Sequence, residues 1–588
     1  MVKDCMEVFE KEADETKKKT GRDMVLDSYI PFDGDYLIIK KDGSIQHCKI
    51  EFKKGELHKD PADEELYEKV RFYDYHSRII NTNKPISDKQ ILSCSYLSFI
   101  VKWERLAESS AKANKLTPDK VNRYFDALKN PGGKKTKKND IALFQKMNEF
   151  LPEIDKEKLD HHRNWILDHL FKLEKSGIEF LKKNYLKIFF EDDPELYLQE
   201  ETRYVFPRIF LKNDYNEEIE SKIYGVPNDS MSLDAKKPGL EHKTRKTVAP
   251  CLIAAEEALQ QRAFFDYLQS NCKRNKPCMY IDTERNRIYP VSEQEIPDSE
   301  FTGYMIRAEL TKSGVNIVDA DILTHYSNTL MKPFLYENVL SLRDDYGLFK
   351  EYTKKSEILA LLNKCLFSFK LFPNFFRDSK DISINDAALK DAIVCCRNAI
   401  RSWLYKDKPY HVADVLADRC WKICKTTLLD GELNRAGQQL SLIISVKNYL
   451  GGDNMERNYP EIRDDLRRKI NSETDAGIGC EKEYYYCVGQ IVRYFISLKQ
   501  KADKKHILAA PYLNCSSNKV LRALVNSGFT SVAYTIDVNN LRFNRMMTLI
   551  ANYDATDDKV DREALMAGYI ANCLIYEKAE KETEKVEE

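Results

Sequence analysis

At 588 residues the chain is too long for a single hydrophobic core and is expected to divide into about two to four domains. Its 43% hydrophobic and 11% aromatic content excludes a disordered or fibrous protein. A formal net charge of −1 with 32% charged residues excludes a uniformly basic nucleic-acid binder, so any contact with nucleic acid has to come from local patches.

The opening MVKDCMEVFEKEADETKKK is too charged for a secretory leader, and no run of about eighteen uncharged apolar residues follows. A soluble, cytoplasmic protein without membrane contact is the expectation. YLIIKKDGSIQHCKIEFKKG then reads as two strands turning at Asp42-Gly43. A long helical tract is expected after it, with Thr117-Pro118-Asp119 supplying a cap and an early proline before KVNRYFDALK. KNPGGKKTKK (129–138) interrupts that tract, because Pro-Gly-Gly forbids helix and its lysines repel one another. Strand-like runs return between Tyr204 and about Leu323.

From Met331 onward the pattern is helical, as in EYYYCVGQIVRYFISLKQ, where Val488, Ile491, Val492, Phe495 and Leu498 make one apolar stripe. Gly451-Gly452 ends one helix and Asn458-Tyr459-Pro460 opens the next. Beyond that point helices are expected around 460–470, 482–504, 516–527 and 538–576, the last broken near Asp557. The fold class is therefore α+β: a mixed α/β N-terminal domain (1–330), a helical connecting region (331–454) and a C-terminal helical bundle (455–588).

No catalytic set stands out. The fifteen cysteines are scattered without paired CxxC units and read as reduced core thiols. Asp42 with Glu51 and Lys53 follows the acid–E-x-K pattern of metal nucleases, with Glu51 and Lys53 on one strand face, but Asp42 is also what a hairpin turn requires. His161, His162, Asp168 and His169 lie on a helix too far apart along its axis to share a metal. Gly132-Gly133-Lys134 lacks the Ser or Thr and the leading strand of a phosphate loop. No catalytic residue, metal or cofactor is expected, and binding becomes the default.

The richest binding candidate is YGVPNDSMSLDAKKPGLEHKTRK (224–246). Gly225 and Pro227 fix a tight path, Asn228-Asp229 favours a turn, and Lys236, Lys237, Lys243, Arg245 and Lys246 follow with Glu241 among them. Such a loop can neutralise phosphates while a short amide reaches a groove. YGVPNDSM followed by KKPGLEHKTRK resembles the central signature of the large subunit of the type I-B CRISPR surveillance complex, Cascade (the Csh-type large-subunit family). SYIPFDGDYLI, FYDYHSRIINTNKPI (72–86), SCSYLSFIVKWE and LKNDYNEEIESKIYG extend that resemblance over most of the first 310 residues.

The resemblance implies a non-catalytic, prokaryotic subunit of a CRISPR RNA ribonucleoprotein. Guide pairing would read the target; this chain would read the short adjacent motif (PAM) in double-stranded DNA, help open the strands into an R-loop and license a separate helicase-nuclease. On that footing Asn228 is the expected PAM reader. Lys236, Lys237, Lys243, Arg245 and Lys246 would hold phosphates, with Lys134, Lys135, Lys137 and Lys138, and Arg542 and Arg545 of the bundle, as further contacts. The resemblance also implies a small-subunit-like bundle beside backbone and end-capping subunits, and Met455, after Gly451-Gly452-Asp453-Asn454, is the expected internal start for a separate small subunit (455–588). A stand-alone metal nuclease using Asp42, Glu51 and Lys53, or an RNA-binding scaffold, are the alternatives.

Overall fold

The computed structural model describes the chain apart from residues 54–55, 61–63, 80–84, 86–89, 107–114, 132–140, 211–212, 227–251, 294, 296, 298–299, 312–313, 452–457, 473–476, 500–504 and 578–588. Two compact units emerge. The first comprises Met1–Ser292 with Phe301–Thr324, and the second Glu293–Glu300 with His325–Glu588. The α+β class holds, with a mixed sheet in the N-terminal region and helices in the C-terminal region.

The first unit runs α1 (Val2–Thr20), α2 (Met24–Ser28), β1 (Gly34–Ile39), β2 (Ile45–Lys53), β3 (Glu56–Asp60), α3 (Glu64–Ser77), β4 (Ser98–Lys102), α4 (Pro118–Lys129), α5 (Ile141–Phe150), α6 (Lys156–His169), β5 (Tyr185–Phe190) and α7 (Pro194–Val205). It continues with β6 (Glu217–Ile219), β7 (Lys222–Gly225), β8 (Ile253–Ala254), α8 (Ala255–Lys273), β9 (Cys278–Asp282), β10 (Arg287–Val291), β11 (Phe301–Thr311) and β12 (Gly314–Tyr326).

Five strands form a sheet in the order β3-β2-β1-β5-β4, with β1 antiparallel to β2 and parallel to β5. Every residue of β1 is buried, so both sheet faces are covered, as a central strand flanked by a crossover requires. The expected hairpin is present: Lys40 accepts from Gly43, and β1 and β2 pair from Gly34↔Ile50 to Ile39↔Ile45. A second sheet, β10-β9-β11-β12, packs on α1 and α8 through Phe9, Phe264, Leu268, Met279, Ile281 and Ile306.

Three expectations change. β4 and β5 lie where helix was expected. Short apolar runs such as SFIVK and YLKIFF, buried on both faces, carry no alternation to separate strand from helix. α8 lies inside the segment read as strands; AEEALQQRA is a run of strong helix formers whose signal the flanking strands masked. The rear also opens with a two-stranded antiparallel ribbon, β13 (Thr329–Leu335) and β14 (Glu351–Lys354), rather than helix.

The rest of the second unit is α9 (Lys355–Cys365), α10 (Ala387–Lys406), α11 (Val412–Leu429), α12 (Leu433–Gly451), α13 (Tyr459–Asn471), α14 (Glu481–Leu498), α15 (Ala510–Leu513), α16 (Asn518–Val532), α17 (Leu541–Asn552) and α18 (Arg562–Ile570). Asn458 caps α13 by accepting from Glu461 N, and Pro460 sits in its first turn. The boundary expected between 454 and 455 falls inside this unit, where Gly437 of α12 lies against Ile570 of α18. α14 is its central helix. It touches α18 so closely that a Cβ on Gly489 would lie 2.3 Å from Leu565 O, and one on Gly568 2.0 Å from Tyr486 O. Among the described residues no helix is long and apolar enough to cross a membrane.

Candidate nucleic-acid interface

β7 and β8 determine where residues 227–251 leave and rejoin the fold. Tyr224 pairs with Ala254 and Gly225 with Ile253, so the two ends of the excursion are hydrogen-bonded neighbours. Val226, its last described residue, is buried, and α8 begins immediately after β8. Gly225 has a packing reason for its identity, because a Cβ there would lie 2.3 Å from Cγ of Phe210. The β6–β7 hairpin exposes Glu217, Glu218 and Glu220 together with Lys222, and in the first turn of α8 Glu257 lies 3.7 Å from Lys3. Pro227, Asn228, Lys236, Lys237, Lys243, Arg245 and Lys246 lie outside the described residues, as do Lys134, Lys135, Lys137, Lys138 and Met455.

The other segments that carry the family resemblance meet inside the first unit. Asp35 of DGDYLI is fully buried and accepts from Trp103 Nε1 (2.7 Å), Leu181 N (2.8 Å) and Lys182 N (3.0 Å), with His47 Nε2 at 3.1 Å. Asp74 of FYDYHSR accepts from Tyr29 Oη (2.9 Å) and from Lys187 Nζ (2.6 Å), which also donates to Tyr36 Oη at 2.9 Å. Beside it Arg78 pairs with Asp266, Tyr75 Oη donates to the same carboxylate at 3.0 Å, and Glu201 joins His76 (2.5 Å) to Arg262 (2.8 Å).

Burial favours the neutral forms of Tyr29, Tyr36 and Lys187, raising the two phenols and lowering the ammonium. Burial alone would raise Glu201, but the charges and hydrogen bonds of Arg262 and His76 outweigh it and hold the carboxyl at about 2. Near the rim, burial and the neighbouring Arg78 charge bring Lys273 down to about 8. Its Nζ stands 4.1 Å from the ring centre of the half-exposed Phe32. Sequence reasoning missed this network. Its visible signal was Asp, His and Arg interleaved with aromatics in FYDYHSR, a pattern that charged helix surfaces do not need.

The metal-nuclease alternative lacks its geometry. Asp42 spends its carboxylate on Ser44 N (2.9 Å) and Ser44 Oγ (2.7 Å), as a turn residue does. Glu51 sits six residues into β2, about 20 Å from the turn at the strand's rise per residue, and faces Lys183 at 3.4 Å. No metal joins carboxylates so far apart. Lys53 ends β2. His162 is buried, stacked on Phe190 at 3.9 Å with Nδ1 3.0 Å from Tyr96 O, and burial lowers it to about 4. His169 turns instead to Trp165 O at 2.9 Å. Among the described residues no group of three or more His, Cys, Asp or Glu is placed to hold a metal.

In the second unit Arg542 and Arg545 share a face of α17, but both are tied down. Arg542 Nε donates to Asn471 Oδ1 (2.7 Å) and its Nη1 to the backbone oxygen of Glu577, while Arg545 Nη1 donates to Ile470 O (3.2 Å). Arg463 and Arg467 of α13 converge on the Glu577 carboxylate from the same side, a grouping the sequence did not reveal because its members are about 110 residues apart. Comparison with known protein families, curated proteins and solved structures returns no match to this chain.

Proposed function

We propose that the chain is a non-catalytic recognition subunit of an RNA-guided type I-B Cascade complex, reading the PAM of double-stranded DNA through residues 227–251. The observation that supports this reading most is the closed base of that segment. A reading loop must be held at both ends, and pairing of Gly225 with Ile253 meets that need. Gly225 then acts through packing, and Asn228, three residues beyond it, is the base reader. Lys236, Lys237, Lys243, Arg245 and Lys246 grip the backbone. Partners on this reading are the guide ribonucleoprotein, the target duplex and a helicase-nuclease recruited in trans, with Met455 as the internal start of a small subunit.

The test is duplex binding by the assembled complex. Asn228→Ala is expected to lower the preference for PAM-bearing over PAM-free duplex by about tenfold, the worth of one good base contact. Lys243→Ala is expected to weaken both duplexes alike and to flatten the salt dependence by about one unit. An Asn228→Ala complex with its PAM preference intact refutes the assignment.

A further inference from the structure

Lys273, the last residue of α8, stands among cations that are each paired, and is itself left without a partner. Around it Lys187 is paired with Asp74 (2.6 Å), Arg78 with Asp266, and Arg262 with Glu201 (2.8 Å). Among the described residues no hydrogen-bond acceptor or carboxylate meets Lys273 Nζ, which lies instead 4.1 Å from the ring centre of Phe32 and 5.8 Å from that of Tyr29. The same two rings face the neighbouring cations: Lys187 Nζ is 5.5 Å from the centre of Phe32, and Arg78 Cζ 5.5 Å from that of Tyr29. Aromatic rings hold a cation less firmly than a carboxylate does, and two further positive charges stand beside this one. Both conditions favour the neutral amine, the form that carries the reactive lone pair. Burial first, then the Arg78 charge, bring the ammonium down to about 8. The amine is also reachable, because Lys273 is only half-buried and Phe32, the ring it lies against, is 49% exposed.

We propose that Lys273 is a nucleophilic lysine that takes an acyl group from a small acyl phosphate. The unmatched positive charge draws in the anionic donor, and Phe32 keeps the amine in an apolar setting. The amine lone pair attacks the acyl carbon and forms the new carbon–nitrogen bond. The carbon–oxygen bond to phosphate breaks, inorganic phosphate leaves with that electron pair, and the nitrogen gives its proton to solvent. The product is a neutral amide, so the fold no longer holds an unpaired charge beside Arg78 and Lys187. Nothing in this chemistry depends on the nucleic-acid function proposed above.

The experiment treats the full chain with acetyl phosphate across a pH series and follows each acetylated lysine by peptide mass mapping. Lys276, exposed three residues further on, is the internal reference. At about pH 7 Lys273 is expected to react about tenfold faster: an ammonium titrating at about 8 rather than 10.5 yields far more free amine, and only part of that gain is lost to its weaker basicity. Its rate is expected to level off above about pH 8 while that of Lys276 keeps rising. Concentrated urea, which dissolves the cluster, is expected to erase the difference. Phe32→Ala, which admits water to the amine, is expected to move the Lys273 midpoint upward. Lys273 labelled no faster than Lys276, with a rate still climbing past about pH 9, overturns the proposal, as does a preference that survives urea. An equal preference with acetic anhydride, a neutral donor, overturns the choice of an anionic one.

Discussion

The two units bury different chemistry. In the first, charges lie at the centre: Lys187 is 3% exposed and Asp74 1%, with Glu201, Arg262, Arg78 and Asp266 beside them. In the second, the central helix α14 is neutral along most of its buried length, and Gln490 satisfies itself on Gly568 O and Leu574 N; Glu483, paired with Lys469 at 2.6 Å, is the exception at its first turn. A sheet layer that holds ion pairs is specified by partner matching, and removing one member leaves an uncompensated charge. A helix pair that meets through glycines is specified by distance, and adding one carbon is the damage.

The sharpest way to break the contrast is Asp74→Ala. Lys187 would lose the carboxylate it pairs with while remaining buried, at an expected cost to the first unit of about 3–5 kcal/mol. Asp74→Ala combined with Lys187→Met is expected to recover most of that loss, since a buried pair replaced by apolar groups is close to neutral. Urea unfolding with amide exchange read on β1 and β5 measures both, and equal damage in the single and double variants contradicts the account.

Acid is the next lever. The His162 imidazole titrates at about 4 in the fold and 6.5 when free, because burial disfavours its charged form. The unfolded chain therefore binds more protons between those values. Stability is complete above pH 6.5 and falls as pH drops toward 4, by about 3 kcal/mol over the full interval. Glu201, held at about 2 against 4.5, adds a second loss as pH falls from 4.5 toward 2. Melting of the first unit is expected to respond from pH 6.5 downward and His162→Phe to remove the part above pH 4.5; an unchanged profile in that variant contradicts the assignment.

How much of this was legible in the sequence follows the same divide. The Asp42-Gly43 hairpin, the Thr117 and Asn458 caps and the apolar stripe of α14 are local patterns, and each is where the residues place it. β4, β5 and β8 were not legible. The first two are buried on both faces, and Ile253–Ala254 is too short to show any period, although it closes the candidate loop. The ion pairs of the first unit join positions from 74 to 266, and Arg463 and Arg467 meet Glu577 across more than a hundred residues; single-sequence reasoning has no signal for such separations. The charge pattern of 227–251 was visible in the sequence, but the pairing of Gly225 with Ile253 on either side of it was not.

Gly568→Ala tests the second unit. The new Cβ would meet Tyr486 O at 2.0 Å, so α14 and α18 must part, at an expected cost of about 1–3 kcal/mol despite the better helix propensity of alanine. Gly451→Ala, at the end of α12, has nothing among the described residues within 4 Å of its Cβ and is expected to be neutral or slightly stabilising. Equal effects of the two changes on thermal unfolding would remove close approach as the reason for the glycine pair.

The smallest effect separates burial from pairing within the first unit itself. Glu51 and Lys183 are oppositely charged at 3.4 Å, as Asp74 and Lys187 are at 2.6 Å, but Lys183 is 63% exposed where Lys187 is enclosed. Water screens the outer pair at its Lys183 end, so Glu51→Ala is expected to cost about 1 kcal/mol, well below the Asp74 change. The same variant decides the nuclease alternative without a structural confound. A protein that cuts DNA with Mg²⁺ and loses the activity on Glu51→Ala, with its unfolding unchanged, would make Glu51 a catalytic carboxylate. Unchanged behaviour in both assays leaves it an ion-pair partner of Lys183.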